Sequence, residues 1–220
     1  MDEMSYTFEG GSEVLFVPYA SSDHDSYLEG ARRFTASAPF NLVGIHEYDD
    51  PLDAVMEASG IYVGGGNSFL LVHDLHEKGL IEAIRRRVSE GIPYVGISAG
   101  SNVACPTMMT TNDMPVIYPP SYEGFGIVPF QINPHYHPGG IFWKEEEEVV
   151  QHFGETRARR IAEFHQHNPT PVIGLFEGTF LRWDGESATL VGGSAEIFCV
   201  GDTTLRVGHG AILDGSLSPR

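Results

Sequence analysis

The chain has 220 residues, a length that suits one sizeable α/β domain with a single core. Hydrophobic residues make up 41% of it and charged residues 20%, a balance that excludes a disordered chain. With 13 Lys and Arg against 30 Asp and Glu the formal net charge is −17, and so acidic a surface repels phosphate backbones, which excludes nucleic acid as the expected partner.

The two cysteines, Cys105 and Cys199, fit no metal spacing or redox motif and read as buried free thiols in a reducing compartment. Met1-Asp2-Glu3-Met4 has neither the basic start nor the apolar core of a signal peptide, and no apolar run nears membrane-spanning length. A cytoplasmic protein without a membrane partner is expected.

In chain order, residues 13–20 read as a buried strand that runs into a proline, with Ser21-Ser22-Asp23 as loop and cap. Residues 25–38 predict a helix with Tyr27, Leu28, Ala31 and Phe34 on its inner face, stopped by Pro39. A strand over 40–46 follows, then a short helix over 51–59 with Leu52, Val55 and Met56 inward. A further strand over 60–63 runs into Gly64-Gly65-Gly66-Asn67. From Ser68 the chain turns helical, and 78–90 predicts an amphipathic helix with Leu80, Ile81, Ile84 and Val88 inward. Arg85, Arg86 and Arg87 read as its solvated face, favoured by the helix dipole. Strands alternating with helices argue for a parallel sheet covered on both faces, the doubly wound α/β class, which binds ligands at the carboxyl ends of its strands.

The apolar run from Ile92 to Ile97 ends in Gly96-Ile97-Ser98-Ala99-Gly100, a G-x-S-x-G pattern followed by residues able to start a helix. A nucleophilic serine must stand clear of the sheet on a sharp strand-to-helix turn, and flanking glycines leave room for that turn. The Ala99 amide would then point at an oxyanion, and the glycine turn at another strand end offers a second amide, from Gly66.

A serine hydroxyl needs a base to take its proton, and the base needs an acid to hold its tautomer. After a polar loop over 110–115, residues 125–130 and Ile132 predict a strand leading to Asn133-Pro134-His135. His135, in a proline-bounded turn on the functional edge, is the candidate base. Asp113, in the loop after the elbow helix, and Glu177, at the end of a buried strand over 171–176, both qualify as the orienting acid.

Glu145 to Glu148 with Val149 and Val150 read as a solvated helix or loop, and 156–165 as a helix with Ile161, Ala162 and Phe164 toward the core. From Phe180 short β segments and the Asp184-Gly185 hairpin signal predict a small antiparallel extension, with no linker or second domain. His135, His137, His165 and His167 invite a zinc reading, but no cysteine or H-E-x-x-H pattern accompanies them, so neither a metal nor another cofactor is expected.

These segments resemble the peptidase E family of serine peptidases, the α-aspartyl dipeptidases. The likeness rests on Val63 to Phe69, Tyr94 to Asn102, Ala104-Cys105-Pro106-Thr107, Thr110 to Pro115, Gln131-Ile132-Asn133-Pro134-His135, Gly154-Glu155-Thr156-Arg157 and Val172 to Gly178, in the family's order. It implies a fold similar to class I glutamine amidotransferases, which place a cysteine where this chain has Ser98.

The resemblance further implies Ser98 as nucleophile, His135 as base, and an acid at either Asp113 or Glu177, with Glu177 favoured for the direct contact because a strand end fixes it. A substrate with an N-terminal aspartate needs a cation for its side chain, and Arg157 matches the family's Gly-Glu-Thr-Arg position. Asn67, beside Gly66, is a further substrate-binding candidate.

Two departures stand out: only a polar Met1 to Ser12 precedes the first strand, and the segment 136–153, with Trp143 and the glutamate run, is longer than the family leads one to expect. The expected function is hydrolysis of Asp-X dipeptides through an acyl-enzyme, by one domain spanning 1–220, with a small peptide as partner and a homodimer left open. The alternatives are a cyanophycinase-like or carboxypeptidase-like serine peptidase on the same scaffold, or a non-catalytic ligand-binding relative.

Overall fold

In the computed structural model the first strand, β1 (Glu13–Val17), buries both its faces: Val14 and Phe16 join one apolar cluster, Leu15 and Val17 another. Residues 2–10, 13–139, 141–145, 148–152 and 155–217 are described, and the chain divides after Gln131 into two compact units.

The first unit is built on a four-stranded parallel sheet in the order β2-β1-β3-β4, with β2 (Asn41–Gly44), β3 (Ile61–Val63) and β4 (Tyr94–Gly96). On one face lie α1 (Asp2–Thr7) and α2 (His24–Phe34), bringing Met4, Leu28 and Ala31 against Phe16, Leu42 and Tyr62. On the other lie α3 (Pro51–Glu57), α4 (Ser68–Glu77), α5 (Leu80–Ser89) and α6 (Ala99–Ala104), which pack Val55, Leu71, Ile84 and Val103 on Leu15, Val17, Ile61 and Val63. Near-continuous apolar strands belong to a sheet covered in this way, and the doubly wound class follows. Because β1 takes β2 on one side and β3 on the other, the strand order reverses there, and the carboxyl ends of β1 and β3 flank the crevice where such sheets bind ligands.

Several local expectations are corrected. Residues 2–7, read as a polar lead-in, form α1 because Met4 and the following Phe8 bury, Phe8 meeting Phe40 edge-on at 5.1 Å. Phe34, Leu52 and Met56 are exposed instead of inward, since α2 and α3 turn Ala31, Ala54 and Val55 to the core. The arginines of α5 are more than a solvated face. Arg85 Nε donates to Phe125 O at 2.7 Å and Arg87 Nη2 to Ala58 O at 2.8 Å, so they tie loops down. Residues 125–130 are not a strand: Phe125 and Phe130 bury fully from a loop whose Phe125 and Ile127 amides donate to the Val103 and Ala104 carbonyls at the end of α6.

The second unit begins inside β5 (Gln131–Asn133) and carries β6 (Ile141–Glu145), β7 (Glu148–His152), α7 (Arg157–Phe164), β8 (Val172–Leu175), β9 (Thr179–Trp183), β10 (Ser187–Gly192), β11 (Ser194–Phe198), β12 (Leu205–Gly208) and β13 (Ile212–Asp214). One sheet has the order β12-β11-β8-β5, another β13-β10-β9, and β6 and β7 form an antiparallel hairpin.

The glutamate run is thus corrected from helix or loop to strand: Glu145 ends β6 and Glu148 begins β7, while Glu146 and Glu147 lie outside the described residues. In α7, Ile161 is buried but Ala162 is exposed. The antiparallel extension forms where it is expected. The Asp184 Oδ1 accepts the amides of Glu186 (2.9 Å) and Ser187 (2.7 Å) and so closes the turn between β9 and β10.

Candidate active site

Strand β4 delivers Ser98 to the start of α6 with φ 52 and ψ −106, a backbone conformation that side-chain-bearing residues rarely adopt. The sharpness of this turn depends on its glycines. A Cβ on Gly96 would overlap the Gly100 carbonyl, and one on Gly100 would overlap the Val63 carbonyl of β3. Behind the turn, Ser98 O accepts the amides of Ser101 (2.9 Å) and Asn102 (3.0 Å), and the Ile97 amide donates to Val63 O at 3.1 Å. Ser98 is half-buried, with Ala99 and Gly100 enclosed behind it.

The glycine turn at the end of β3 lies against this elbow: a Cβ on Gly65 would stand 3.2 Å from the Ser98 Cβ. Gly66 has φ +127, where only glycine sits without strain, and a Cβ there would overlap Ala20 O. The turn is held from several sides. Gly64 N donates to Val17 O at 3.2 Å, Asn67 N to Ala20 O at 2.9 Å, and the Tyr27 hydroxyl to Gly65 O at 2.7 Å.

Asn67 caps α4. Its Oδ1 accepts from Phe69 N (3.0 Å) and Leu70 N (3.2 Å), and its Nδ2 donates to Met114 O (2.9 Å). Asp113 sits at the same helix end, where its Oδ2 accepts the Ser68 amide at 2.7 Å and the Ser68 hydroxyl at 2.6 Å. The Ser68 proton is thereby committed to Asp113, which leaves Thr111 to donate to Ser68 Oγ at 3.0 Å. A carboxylate at the first turn of a ten-residue helix also meets the positive end of its dipole. Of the two candidate acids, this one is engaged with Ser68.

In the second unit His135 follows β5 with φ 54. Its position is set by the next residue. Tyr136 N donates to Leu175 O of β8 at 2.8 Å, its ring lies on Gly174 so closely that a Cβ there would run into it, and its hydroxyl donates to Glu196 Oε2 of β11 at 2.6 Å. Phe176 and Phe198 close round the same ring at 5.3 and 5.6 Å. Burial first, then the Glu196 carboxylate, push the Tyr136 phenol above its usual range, so it stays a donor. With Tyr136 pinned, His135 stands beside Glu177 at the end of the neighbouring strand, and its Nδ1 is hydrogen-bonded to Glu177 Oε1. A carboxylate only accepts, so Nδ1 carries the proton and Nε2 is the basic nitrogen of the ring.

Arg157 is the first residue of α7, behind its cap Thr156, whose Oγ1 accepts the Arg159 amide at 3.2 Å. It is half-buried with its Nε enclosed, whereas Arg159 and Arg160 are exposed and pair with Glu163 (3.9 Å) and Glu155 (3.6 Å). Gly154 of the Gly-Glu-Thr-Arg motif lies outside the described residues. Sequence reasoning missed Tyr27, Ser68 and Tyr136 as holders of these turns. A hydroxyl on an otherwise apolar helix face, upstream of a glycine run, is the one signal that could have found Tyr27.

The model of peptidase family S51 matches residues 2–191, from α1 into β10. The chain belongs to this family. A Streptomyces coelicolor protein named "Peptidase E" is 45% identical over 192 residues, 87% of this chain and 76% of its own length. A Drosophila melanogaster protein named "Probable alpha-aspartyl dipeptidase" is 48% identical over 180 residues, covering 81% of this chain and 72% of its own. The crystal structure of a peptidase from an acI-B1 Actinobacterium matches with a TM-score of 0.68 at 19% identity, over 97% of this chain and 90% of that one, a likeness of fold. The S51 match spans Gly66, Ser98, Asp113, His135, Arg157 and Glu177.

Proposed function

We propose that this member of family S51 is a serine peptidase that hydrolyses dipeptides with an N-terminal aspartate through an acyl-enzyme, residues 1–220 working as one peptidase domain. One backbone observation carries the reading. Among the described residues only three non-glycine residues have positive φ, and two of them are Ser98 and His135. Such conformations cost about 1–3 kcal/mol each and persist where the surrounding structure imposes them for a task.

In this mechanism His135 Nε2 takes the proton of Ser98 Oγ as that oxygen attacks the carbonyl carbon of the aspartyl residue. Glu177 holds the Nδ1 proton and stabilises the imidazolium. The tetrahedral oxyanion is held by the Gly66 and Ala99 amides. Collapse expels the amine of the second residue, which takes the proton back from Nε2, and a water activated by the same nitrogen then releases aspartate from Ser98. Arg157 binds the side-chain carboxylate of the substrate, for which a half-buried guanidinium suits better than a solvated lysine. Asn67 contributes through the turn it caps. The names of the relatives support the substrate class, and the mechanism needs no cofactor.

Among the described residues no helix is long and apolar enough to cross a membrane. The free thiols of Cys105 and Cys199 suit a reducing cytoplasm, where we place the enzyme. Labelling with a fluorophosphonate tests the acyl chemistry. Wild type should be labelled at Ser98 and Ser98→Ala should not, with equal melting temperatures. A wild-type protein that resists the reagent would instead be a ligand-binding relative without acyl chemistry.

A further inference from the structure

The peptide between Gly65 and Gly66 is the loosest link in the proposed oxyanion hole. Both its residues are glycines, and a plane flanked by two glycines turns over easily, because no Cβ opposes the change in ψ and φ. A turned-over plane would present the Gly65 carbonyl, not the Gly66 N–H, to a developing oxyanion, and would repel it.

One side chain opposes that flip. The Tyr27 hydroxyl, carried by α2, donates to Gly65 O at 2.7 Å. The peptide bonds are trans among the described residues, so within this one plane the Gly65 C=O and the Gly66 N–H point in opposite directions. Gripping the oxygen on the α2 side therefore aims the N–H the other way. The same turn lies against Ser98, since a Cβ on Gly65 would stand 3.2 Å from the Ser98 Cβ.

The grip itself is rigid. The Tyr27 ring meets Phe16 of β1 edge-on at 5.2 Å and belongs to the apolar cluster of Leu28 and Ala31. Its hydroxyl packs so tightly on the turn that a Cβ on Gly64 would run into it. A donor on the carbonyl also polarises the plane and strengthens its N–H as a donor.

We propose that Tyr27 is a positioning residue for the oxyanion hole, its hydroxyl locking the Gly65–Gly66 peptide with the N–H of Gly66 toward the reacting carbonyl. This rests on the acyl-transfer chemistry proposed for Ser98, and it adds a residue that acts through the Gly65–Gly66 peptide. The test is Tyr27→Phe, which removes one oxygen and keeps the ring, beside Tyr62→Phe, which removes a hydroxyl from the same apolar cluster.

The rate of Ser98 labelling by a fluorophosphonate is measured first, because it uses the hole without requiring an aspartyl substrate. Kinetics with Asp-Leu and the affinity of an aspartyl boronate, whose adduct is tetrahedral, follow. Tyr27→Phe should slow labelling and lower kcat on the order of 10-fold, part of what deleting an oxyanion donor costs. Its KM should stay within about twofold, since a ground-state carbonyl gains little from the hole. Boronate affinity should fall by the same factor as kcat, and Tyr62→Phe should change none of the three.

The proposal is overturned if Tyr27→Phe labels at the wild-type rate, if KM rises while kcat holds, or if kcat falls while the boronate binds as before. Failure of the underlying reading looks different: wild type itself is then not labelled. Labelling without Asp-Leu hydrolysis overturns only the substrate and leaves the Tyr27 comparison decisive.

Discussion

His135 Nδ1 and Glu177 Oε1 are hydrogen-bonded at the ends of adjacent strands, β5 and β8, with Tyr136 pinning the histidine turn from beneath. The acid that orients the base is therefore Glu177 in the proposed mechanism, while Asp113 works at the first turn of α4.

The two carboxylates consequently separate in their kinetics. Glu177→Gln removes the charge that stabilises the imidazolium and brings in an NH2 that can donate to Nδ1 and favour the wrong tautomer, and kcat should drop on the order of 100-fold or more. Asp113→Asn keeps an oxygen for the Ser68 amide, so its loss should be smaller. Steady-state rates with Asp-Leu compare them, and an Asp113→Asn loss of kcat as large as that of Glu177→Gln would return Asp113 to the base.

Arg157→Ala should lower kcat/KM for Asp-Leu by about 10- to 100-fold, the worth of a charge-assisted bond of about 1.5–3 kcal/mol. The preference over Asn-Leu should go with it. Arg159→Ala, one exposed charge of the same helix, should change neither, because its pairing with Glu163 is solvent-screened. Equal behaviour of the two variants would remove Arg157 from the site.

The elbow makes a stability prediction with an internal control. Gly100→Ala places a methyl on the Val63 carbonyl and should destabilise by about 1–3 kcal/mol or more. Gly30→Ala, inside α2 with open space around it, should stabilise by about 0.5–1 kcal/mol. Urea unfolding measures both.

The stability of the first unit should also fall on mild acidification. Burial, then the nearby His46, hold the His24 imidazole below its ordinary 6.5, with Lys78 acting the same way and Asp74 and Asp25 opposing. The unfolded chain then binds the proton more readily than the folded one, so stability present above pH 6.5 is lost as pH falls through that value. Melting temperatures from pH 7.5 to 5.5 should decline, and His24→Gln should flatten that slope.

The elbow was legible in the sequence because its constraint is local: Gly96 and Gly100 stand two residues either side of Ser98, and a close approach of backbones demands both. The strand-end position of Glu177 was legible for the same reason. What stayed hidden depends on distant partners. Asp113 meets Ser68 across 45 positions of sequence, and the Tyr27 hydroxyl meets Gly65 across 38. Helical periodicity shows only that the Tyr27 ring faces inward, and says nothing of where its oxygen ends. Phe34, Leu52 and Met56 fit the apolar stripe yet end exposed, because α2 and α3 turn Ala31, Ala54 and Val55 to the core in their place. Residues 125–130 carry a strand composition, but their amides are taken by the end of α6.

Steady-state hydrolysis of Asp-Leu beside Asn-Leu and Glu-Leu, by wild type and Ser98→Ala at equal fold stability, bears most directly on the central claim. Cleavage of Asp-Leu far above the other two, abolished in Ser98→Ala, is the predicted result. Turnover of Asp-Leu that survives in Ser98→Ala, or a wild type that ignores Asp-Leu while being labelled at Ser98, would contradict it.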